Sequence, residues 1–443
     1  MRKLLLCISF MGLVQVAEAK HTIIFRNASD LSTGTVSNFL LDGSSVTKQG
    51  NVFNSAGLLV QVGANGLIPQ ALVQVTTSSP RSMDIVIGSP TAPNVDISSN
   101  NEDGLKTAIF NMCGSSSVTS CPGGGTVFMR TGVYSMQDTT IPANVKVYAL
   151  SGSSVVWVIK NTSIPIATVY GELEGITFDF GFKGYAVRMM DLKTGSVGRR
   201  LEWRNSSPLS GNASTSLVSI RDSNQVLLTD YITRNCTPNN ASTGMIDLDK
   251  ASATVVQNGQ HFGMAAPTGG SASLLYGVKK CSGTLIFNSY IDKWAARYVL
   301  IDGGRDNVFD RHFINLTADV GQSAGSGVVM INTEISVAAA VSTHTLISNV
   351  DVSISGASDA SAVFKVNDAG SKGVSGVIFD HNSVNCTPAG TNTTLPFNVG
   401  SGVLNTVFRM NATYRCSGAS LTDSGTGTVY ANFGNINGSN VWP

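Results

Sequence analysis

The chain has 443 residues, 29 of them basic and 28 acidic, and only 13% of its residues are charged. This near-neutral balance, with no Lys/Arg cluster beyond isolated pairs such as Arg199-Arg200 and Lys279-Lys280, excludes binding driven by nucleic-acid phosphates. Abundant Gly, Ser, Thr, Asn and Val favour strands and turns over surface helices, and the length admits one elongated domain or two compact ones.

At the N-terminus, Arg2-Lys3 precede an apolar run from Leu4 to Val16 that ends in Ala17-Glu18-Ala19, the pattern of a secretory signal peptide. The run is shorter than the roughly 20 residues of a membrane-spanning helix. Removal of residues 1–19 is expected, leaving 27 basic and 27 acidic residues in an exported chain that is secreted, periplasmic or held at the cell surface, with no transmembrane segment. Cys7 leaves with the signal, so Cys113, Cys121, Cys236, Cys281, Cys386 and Cys416 remain, an even number that suits disulfides in an oxidising compartment. No Cys-x-x-Cys or His-x-x-x-His spacing supports a metal site, and no cofactor is expected.

Residues 20–93 hold too few large apolar side chains for a core of their own. They read Asp30-Leu-Ser-Thr-Gly-Thr-Val and then Leu41-Asp-Gly-Ser-Ser-Val-Thr-Lys-Gln-Gly-Asn-Val-Phe-Asn. This resembles a repeat of phage-tail-like bacterial surface fibres, including mosaic adhesive trimers. The resemblance covers about 40 residues and implies a trimerising fibre segment. The alternative is a flexible linker.

Next, Leu105, Ala108 and Ile109 fall on one face of a short amphipathic helix in Asn101–Phe110. Gly123-Gly-Gly-Thr-Val-Phe-Met-Arg-Thr-Gly-Val-Tyr and Thr140-Ile-Pro-Ala-Asn-Val-Lys-Val-Tyr follow. The order of helix, Gly-Gly-Thr-Val, Gly-x-Tyr and Ile-Pro resembles the start of pectin-lyase-like right-handed parallel β-helices. The resemblance implies that the helix caps the open end of the solenoid, which would otherwise expose core side chains and strand edges.

Segments with a shared profile start at Gly175, Arg200, Gln225, Thr254, Thr284, Asn307, Leu346, Gly376 and Thr406. Their spacings are 25, 25, 29, 30, 23, 39, 30 and 30 residues. The second position of each is aliphatic: Ile176, Leu201, Val226, Val255, Leu285, Val308, Ile347, Val377 and Val407. This column is expected to be the core ladder of an all-β solenoid. The third positions Ile286, Phe309, Ile378 and Phe408 are then expected to face outward and to need covering, which favours a homotrimer. The long 39-residue interval admits a large loop or an extra short coil. The fold expected is a right-handed parallel β-helix over 94–443, with a short N-terminal capping helix, preceded by an extended fibre-like segment. The alternative is a β-sandwich or propeller.

Motifs of polysaccharide-degrading members of this superfamily are missing: there is no Asn-Thr-Asp, Asp-Asp and Gly-His-Gly set and no Trp-x-Asp-His. Three groups of residues remain. His312, Asp351 and His381 share the sixth position of three successive segments and are expected to stack one rung apart, able to hold a saccharide hydroxyl or move a proton. Asp302, Asp306 and Asp310 recur every fourth residue and, with Asp351, are the fallback carboxylates of a glycosidase, whose acid and base stand about 5 to 9 Å apart. Trp294 and Tyr298 are the aromatic candidates for stacking on a sugar ring, whereas Trp203 is expected to pack in the core.

For the cysteines, Cys386 and Cys416 each lie ten residues past a segment start. Equivalent Cα atoms on neighbouring rungs are about 4.8 Å apart, inside disulfide range. Cys113 and Cys121 bracket a small loop, which leaves Cys236 with Cys281, free buried thiols being the alternative. The reading is a secreted or surface fibre-tip adhesin, trimeric, binding a glycan or other cell-surface ligand without catalysis. The alternative is a tailspike-like polysaccharide lyase or glycoside hydrolase.

Overall fold

The computed structural model describes residues 83–435, except 151–153, 209–214, 238–242, 265–273, 295–296, 318–326, 333–341, 356–361, 369–372, 387–394, 417–420 and 432–433. The expected signal peptide and most of the fibre-like segment lie outside the described residues. No helix among them is long and apolar enough to cross a membrane.

Among the described residues the strands of neighbouring coils pair in parallel, forming one 23-stranded sheet, one 14-stranded sheet and a two-stranded pair, Gly184–Tyr185 with Ser207–Pro208. The 14-stranded sheet, here the second sheet, takes one strand from each early coil and a further short one, Ser342–Thr343, Val374–Ser375 or Val403–Leu404, from the late coils. The 23-stranded or first sheet takes from each coil two strands, or one long strand such as Leu285–Trp294, that turn a corner at a single left-handed residue. Asp230, Asn258, Asn288, Arg311, Asn349 and His381 occupy that corner in successive coils, all with φ between 51° and 58°. Asn and Asp tolerate this conformation because their short polar side chains bond locally. This is a right-handed parallel β-helix.

The first strand, Met83–Gly88, pairs with Ser120–Met129. The solenoid therefore begins ahead of the expected boundary at residue 94. Helix α1, Glu102–Cys113, covers that end and buries Leu105, Ala108, Ile109 and Met112. The Asn101 side chain caps it by accepting the Asp103 amide at 3.1 Å. Gly114 ends it at φ 77°, a conformation that suits glycine.

Inside, Leu228, Val256, Ile286, Phe309, Ile347, Phe379 and Phe408 stack in register along one wall of the first sheet. Across the corner, Tyr134, Trp157, Phe178 and Trp203 begin a second inward ladder. The second sheet supplies Val218, Ile246, Tyr276, Val299, Val329, Phe364 and Phe397.

The expected core column is only partly inward. Ile176, Leu201, Val226, Ile347 and Val377 are buried. Val255, Leu285, Val308 and Val407 are half-exposed and belong to an outward column with Leu227, Leu346 and Ile378. Ile286, Phe309 and Phe408, expected outside, are at most 2% exposed and fill the core. Turn lengths differ by one residue between coils, and a one-residue slip exchanges the two faces of a strand. The 39-residue interval is one coil, since Val308 and Leu346 are direct cross-rung partners.

Two disulfides form, Cys113–Cys121 and Cys386–Cys416, the latter with Cα atoms 4.9 Å apart. Cys236 and Cys281 are free and buried, so the third expected bridge is absent. Cys236 follows a strand of the first sheet and its thiol donates to the Arg234 carbonyl at 3.3 Å. Cys281 lies in the second-sheet strand Leu274–Ser282 and donates to the Lys279 carbonyl at 3.2 Å. They occupy different faces of the coil.

Candidate functional site

The predicted ladder of His312, Asp351 and His381 does not form. His312 pairs in register with Val350, whereas Asp351 pairs with Phe313 and Ser383. His312 points inward and Asp351 outward, one residue apart in parity. His312 Nε2 donates to the Ile286 carbonyl at 3.1 Å. Asn382 and Asn411 make the same corner bond from their side-chain amides, to the carbonyls of Ile347 and Phe379, both at 2.9 Å. His312 is thus a neutral corner tie, and burial pushes its imidazole down to about 3. His381 is the exposed left-handed corner residue, with Nδ1 2.9 Å from Asp380.

Tyr298, expected at the surface, is fully buried. Its hydroxyl lies 3.4 Å from His312 Nδ1. It joins a polar cluster within the solenoid centred on Tyr276. The Tyr276 hydroxyl contacts the Tyr231 hydroxyl at 2.5 Å, His261 Nε2 at 2.9 Å and Ser289 at 3.0 Å. The Trp294 side chain lies outside the described residues. Trp203 packs in the core as expected, stacked on Phe178 with centroids 5.5 Å apart.

The chain turns between the three regularly spaced aspartates, so they do not converge. Asp302 lies on a second-sheet strand and is nearly buried. Asp306 is an exposed turn residue 3.5 Å from His344. Asp310, on the first sheet, accepts from Ser348 at 2.7 Å and Asn349 at 2.8 Å and pairs with Arg311 at 3.1 Å.

What the structure brings together instead is an open groove of 450 Å³ beside the left-handed corner, lined by Gln260, Asn288, Tyr290, Arg311, Phe313 and Asp351 among others. Strand parity explains its walls. Two residues past each corner, the outward column reads Gln260, Tyr290, Phe313, Asp351, Ser383 and Ala412. Tyr290 and Phe313 remain 40% and 44% exposed, an unusual state for rings of this size. They stack with centroids 5.6 Å apart and 13° between planes. Phe262 extends the aromatic strip, 6.0 Å from Tyr290, and carries the Arg234 guanidinium 4.8 Å above its ring.

The opposite wall is a ladder of corner side chains. Asn288 donates to Asn258 and Asn258 to Asp230, each at 2.7 Å. Ladder contacts fix the amides, and the aromatic edges and Arg311 remain available to solvent. Gly259 shapes the floor: a Cβ there would stand 2.5 Å from the Tyr231 hydroxyl. Sequence reasoning found Asp351 but missed Tyr290 and Phe313. Both occupy the seventh position of their segments, so the signal was present once the corner residues were recognised.

A second cluster, on the outer face of the second sheet, also escaped sequence reasoning. Arg221 donates from Nε and Nη2 to Asp247 at 3.0 and 2.6 Å and lies 3.4 Å from Asp249. Asp247 is sealed from solvent, and burial pushes its carboxyl above the usual range against the opposing pull of Arg221 and Lys279. Asp249, Lys279 and Asp302 follow on successive rungs.

No protein-family model and no curated protein matches the sequence. Solved structures of similar fold include the surface protein and adhesin PfbA of Streptococcus pneumoniae, at 10% identity and a TM-score of 0.39 over 75% of this chain and 94% of that one. A tailspike protein of E. coli bacteriophage HK620 is 12% identical, with a TM-score of 0.45 over 75% and 61% of the respective chains. A mannuronan C-5 epimerase module of Azotobacter vinelandii is 11% identical, with a TM-score of 0.40 over 77% and 97%. Likeness at this level extends to the fold and carries no activity with it.

Proposed function

We propose that this protein is an exported, surface-associated solenoid that binds a glycan in the groove beside Tyr290 and Phe313 without cleaving it. The observation that carries the reading is the stacked, half-exposed pair Tyr290 and Phe313, walled by amides, Arg311 and Asp351. Saccharides are held by aromatic surface together with a few placed polar groups, which this groove supplies. Among its described lining residues Asp351 is the sole carboxylate, whereas glycoside hydrolysis uses two. Two disulfides accord with an oxidising compartment. The oligomer we propose is a homotrimer, joined through the fibre-like segment and the outward aliphatic column that includes Leu285 and Val308.

The test is retention on an array of bacterial capsular and O-antigen oligosaccharides together with host mucin-type and N-linked glycans. Wild type is expected to be retained by a restricted set, and Tyr290→Ala with Phe313→Ala to lose it while keeping the thermal transition. Absence of any retained glycan refutes the proposal. A glycosidase is the second reading. Its carboxylates would be Asp249 and Asp302, which lie two rungs, or about 9.6 Å, apart on the second sheet, just beyond the about 5 to 9 Å that a glycosidase's acid and base use. Release of reducing ends that stops in Asp302→Asn would establish that reading instead.

A further inference from the structure

Resting on the glycan-binding reading, we propose that the groove has a primary subsite for one uncharged pyranose, set on the free face of Phe313 and held through Asp351. The outward column changes size abruptly at this rung. Tyr290 covers one face of Phe313, with planes within 13° of parallel. On the next rungs the column drops to Asp351, Ser383 and Ala412, whose short side chains cannot cover the other face. Phe313 is therefore the last ring of a stack, standing at a step whose floor is a carboxylate. Its 44% exposure and its place beside Asp351 in the groove agree with an open face there.

Asp351 is arranged for hydroxyl recognition. It is exposed, and its Oδ1 accepts from the Ser383 hydroxyl, which limits rotation of the carboxylate. Among the described residues Oδ2 has no hydrogen-bond partner. A carboxylate fixed through one oxygen and open at the other accepts from adjacent hydroxyls of a ring packed on the neighbouring aromatic face. The same charge disfavours a uronic or sialic acid at this position, because like charges at short range repel. Asn349, on the same rung as Asp351, closes the corner side and is itself held by Asp310 at 2.8 Å. The remaining sugars of the chain then run toward Tyr290 and Phe262, in the direction of the solenoid axis.

The experiment titrates the tightest-binding oligosaccharide from the array above, and its single-deoxy analogues, into wild type and variants by calorimetry. Asp351→Asn and Phe313→Ala are each expected to weaken binding about tenfold or more, since a hydrogen bond to a charged group and a stacking face are lost. Phe313→Trp is expected to retain affinity, because it keeps the face. Removal of either hydroxyl of one vicinal pair is expected to cost wild type affinity but to leave Asp351→Asn nearly unchanged. Unfolding midpoints of the variants should match wild type, as both side chains are exposed. Unaltered affinity in Asp351→Asn, or tight binding only of glycans whose every residue is acidic, overturns the subsite while leaving glycan binding intact. If no array glycan is retained, the functional reading and the subsite fall together.

Discussion

The imidazole of His312 lies parallel to the phenyl ring of Phe309, with centroids 3.6 Å apart and 1° between planes. The two residues stand on either side of the corner made by Arg311, and both point into the solenoid. An imidazolium there would lose its hydration and stand among Tyr276, Tyr298 and Phe309, with the Ile286 carbonyl and Asp310 favouring the charge less than burial opposes it. His261 is equally enclosed by Tyr231, Tyr276 and Thr233, and it too is pushed from 6.5 to about 3 by burial.

Acid sensitivity follows from this enclosure. Both folded-state values lie below the ordinary 6.5, so as pH falls the unfolded chain takes up protons first. The stabilisation is complete above pH 6.5 and is lost progressively toward pH 3. Each histidine is expected to remove about 1.4 kcal/mol per pH unit in that window. His312→Asn should keep the bond to the Ile286 carbonyl, as Asn382 and Asn411 do for their partners, and cut the acid slope by about half. Denaturant unfolding between pH 7 and 4 measures it; an unchanged slope would refute the assignment.

Breaking the sealed ion pair is expected to be costly. Arg221→Ala leaves the Asp247 charge without its partner in a site closed to water, at a cost of about 3–5 kcal/mol. Replacing both residues by leucine should cost less than the sum of the single changes, because no charge is then stranded. A double-mutant cycle read by chemical denaturation gives the coupling.

Gly259→Ala is expected to destabilise by about 1–3 kcal/mol, the range for overpacking a filled core. The new methyl would approach the Tyr231 hydroxyl at 2.5 Å, and that hydroxyl is anchored on Tyr276. A loss below a few tenths of a kcal/mol would show that the ring can move aside.

Peptide mapping without reduction should recover Cys113 with Cys121 and Cys386 with Cys416. Cys236 and Cys281 should appear as thiols that resist alkylation in the folded protein, because burial raises them to about 11 and about 12 respectively. Rapid labelling of either under native conditions would contradict their enclosure.

For the oligomer, light scattering of the exported protein is expected to give three times the chain mass. Leu285→Glu with Val308→Glu should lower it without loss of the β-helix signature in circular dichroism. A monomeric wild type would remove the trimer from the functional reading.

Periodicity made the solenoid legible, because every coil must bring aliphatic residues back to the same wall. The capping helix was equally readable from Leu105, Ala108 and Ile109. Parity was not, since it depends on single-residue differences at corners such as Asn258 and Arg311. For that reason the segment pattern places Leu285 in the core and Ile286 at the surface, the reverse of what the structure shows. The same shift separated His312 from Asp351. The register of the last coils is legible because Cys386 and Cys416 each follow a segment start by the same interval, whereas Cys236 and Cys281 lie 45 residues, or about one and a half turns, apart, a spacing that fits no rung-to-rung bridge.

The two disulfides lie near opposite ends of the described solenoid, one beside the capping helix and one between late coils. In a linear stack each coil is supported only by its neighbours, so the outermost coils have one partner and peel away first. Covalent clasps at those places suppress unzipping from the tips and shift the weakest link toward the middle. That central stretch holds the buried tyrosines and histidines and, on its outside, the groove. Failure under heat or acid should therefore begin as an internal rupture at the binding segment, with the clasped ends still wound.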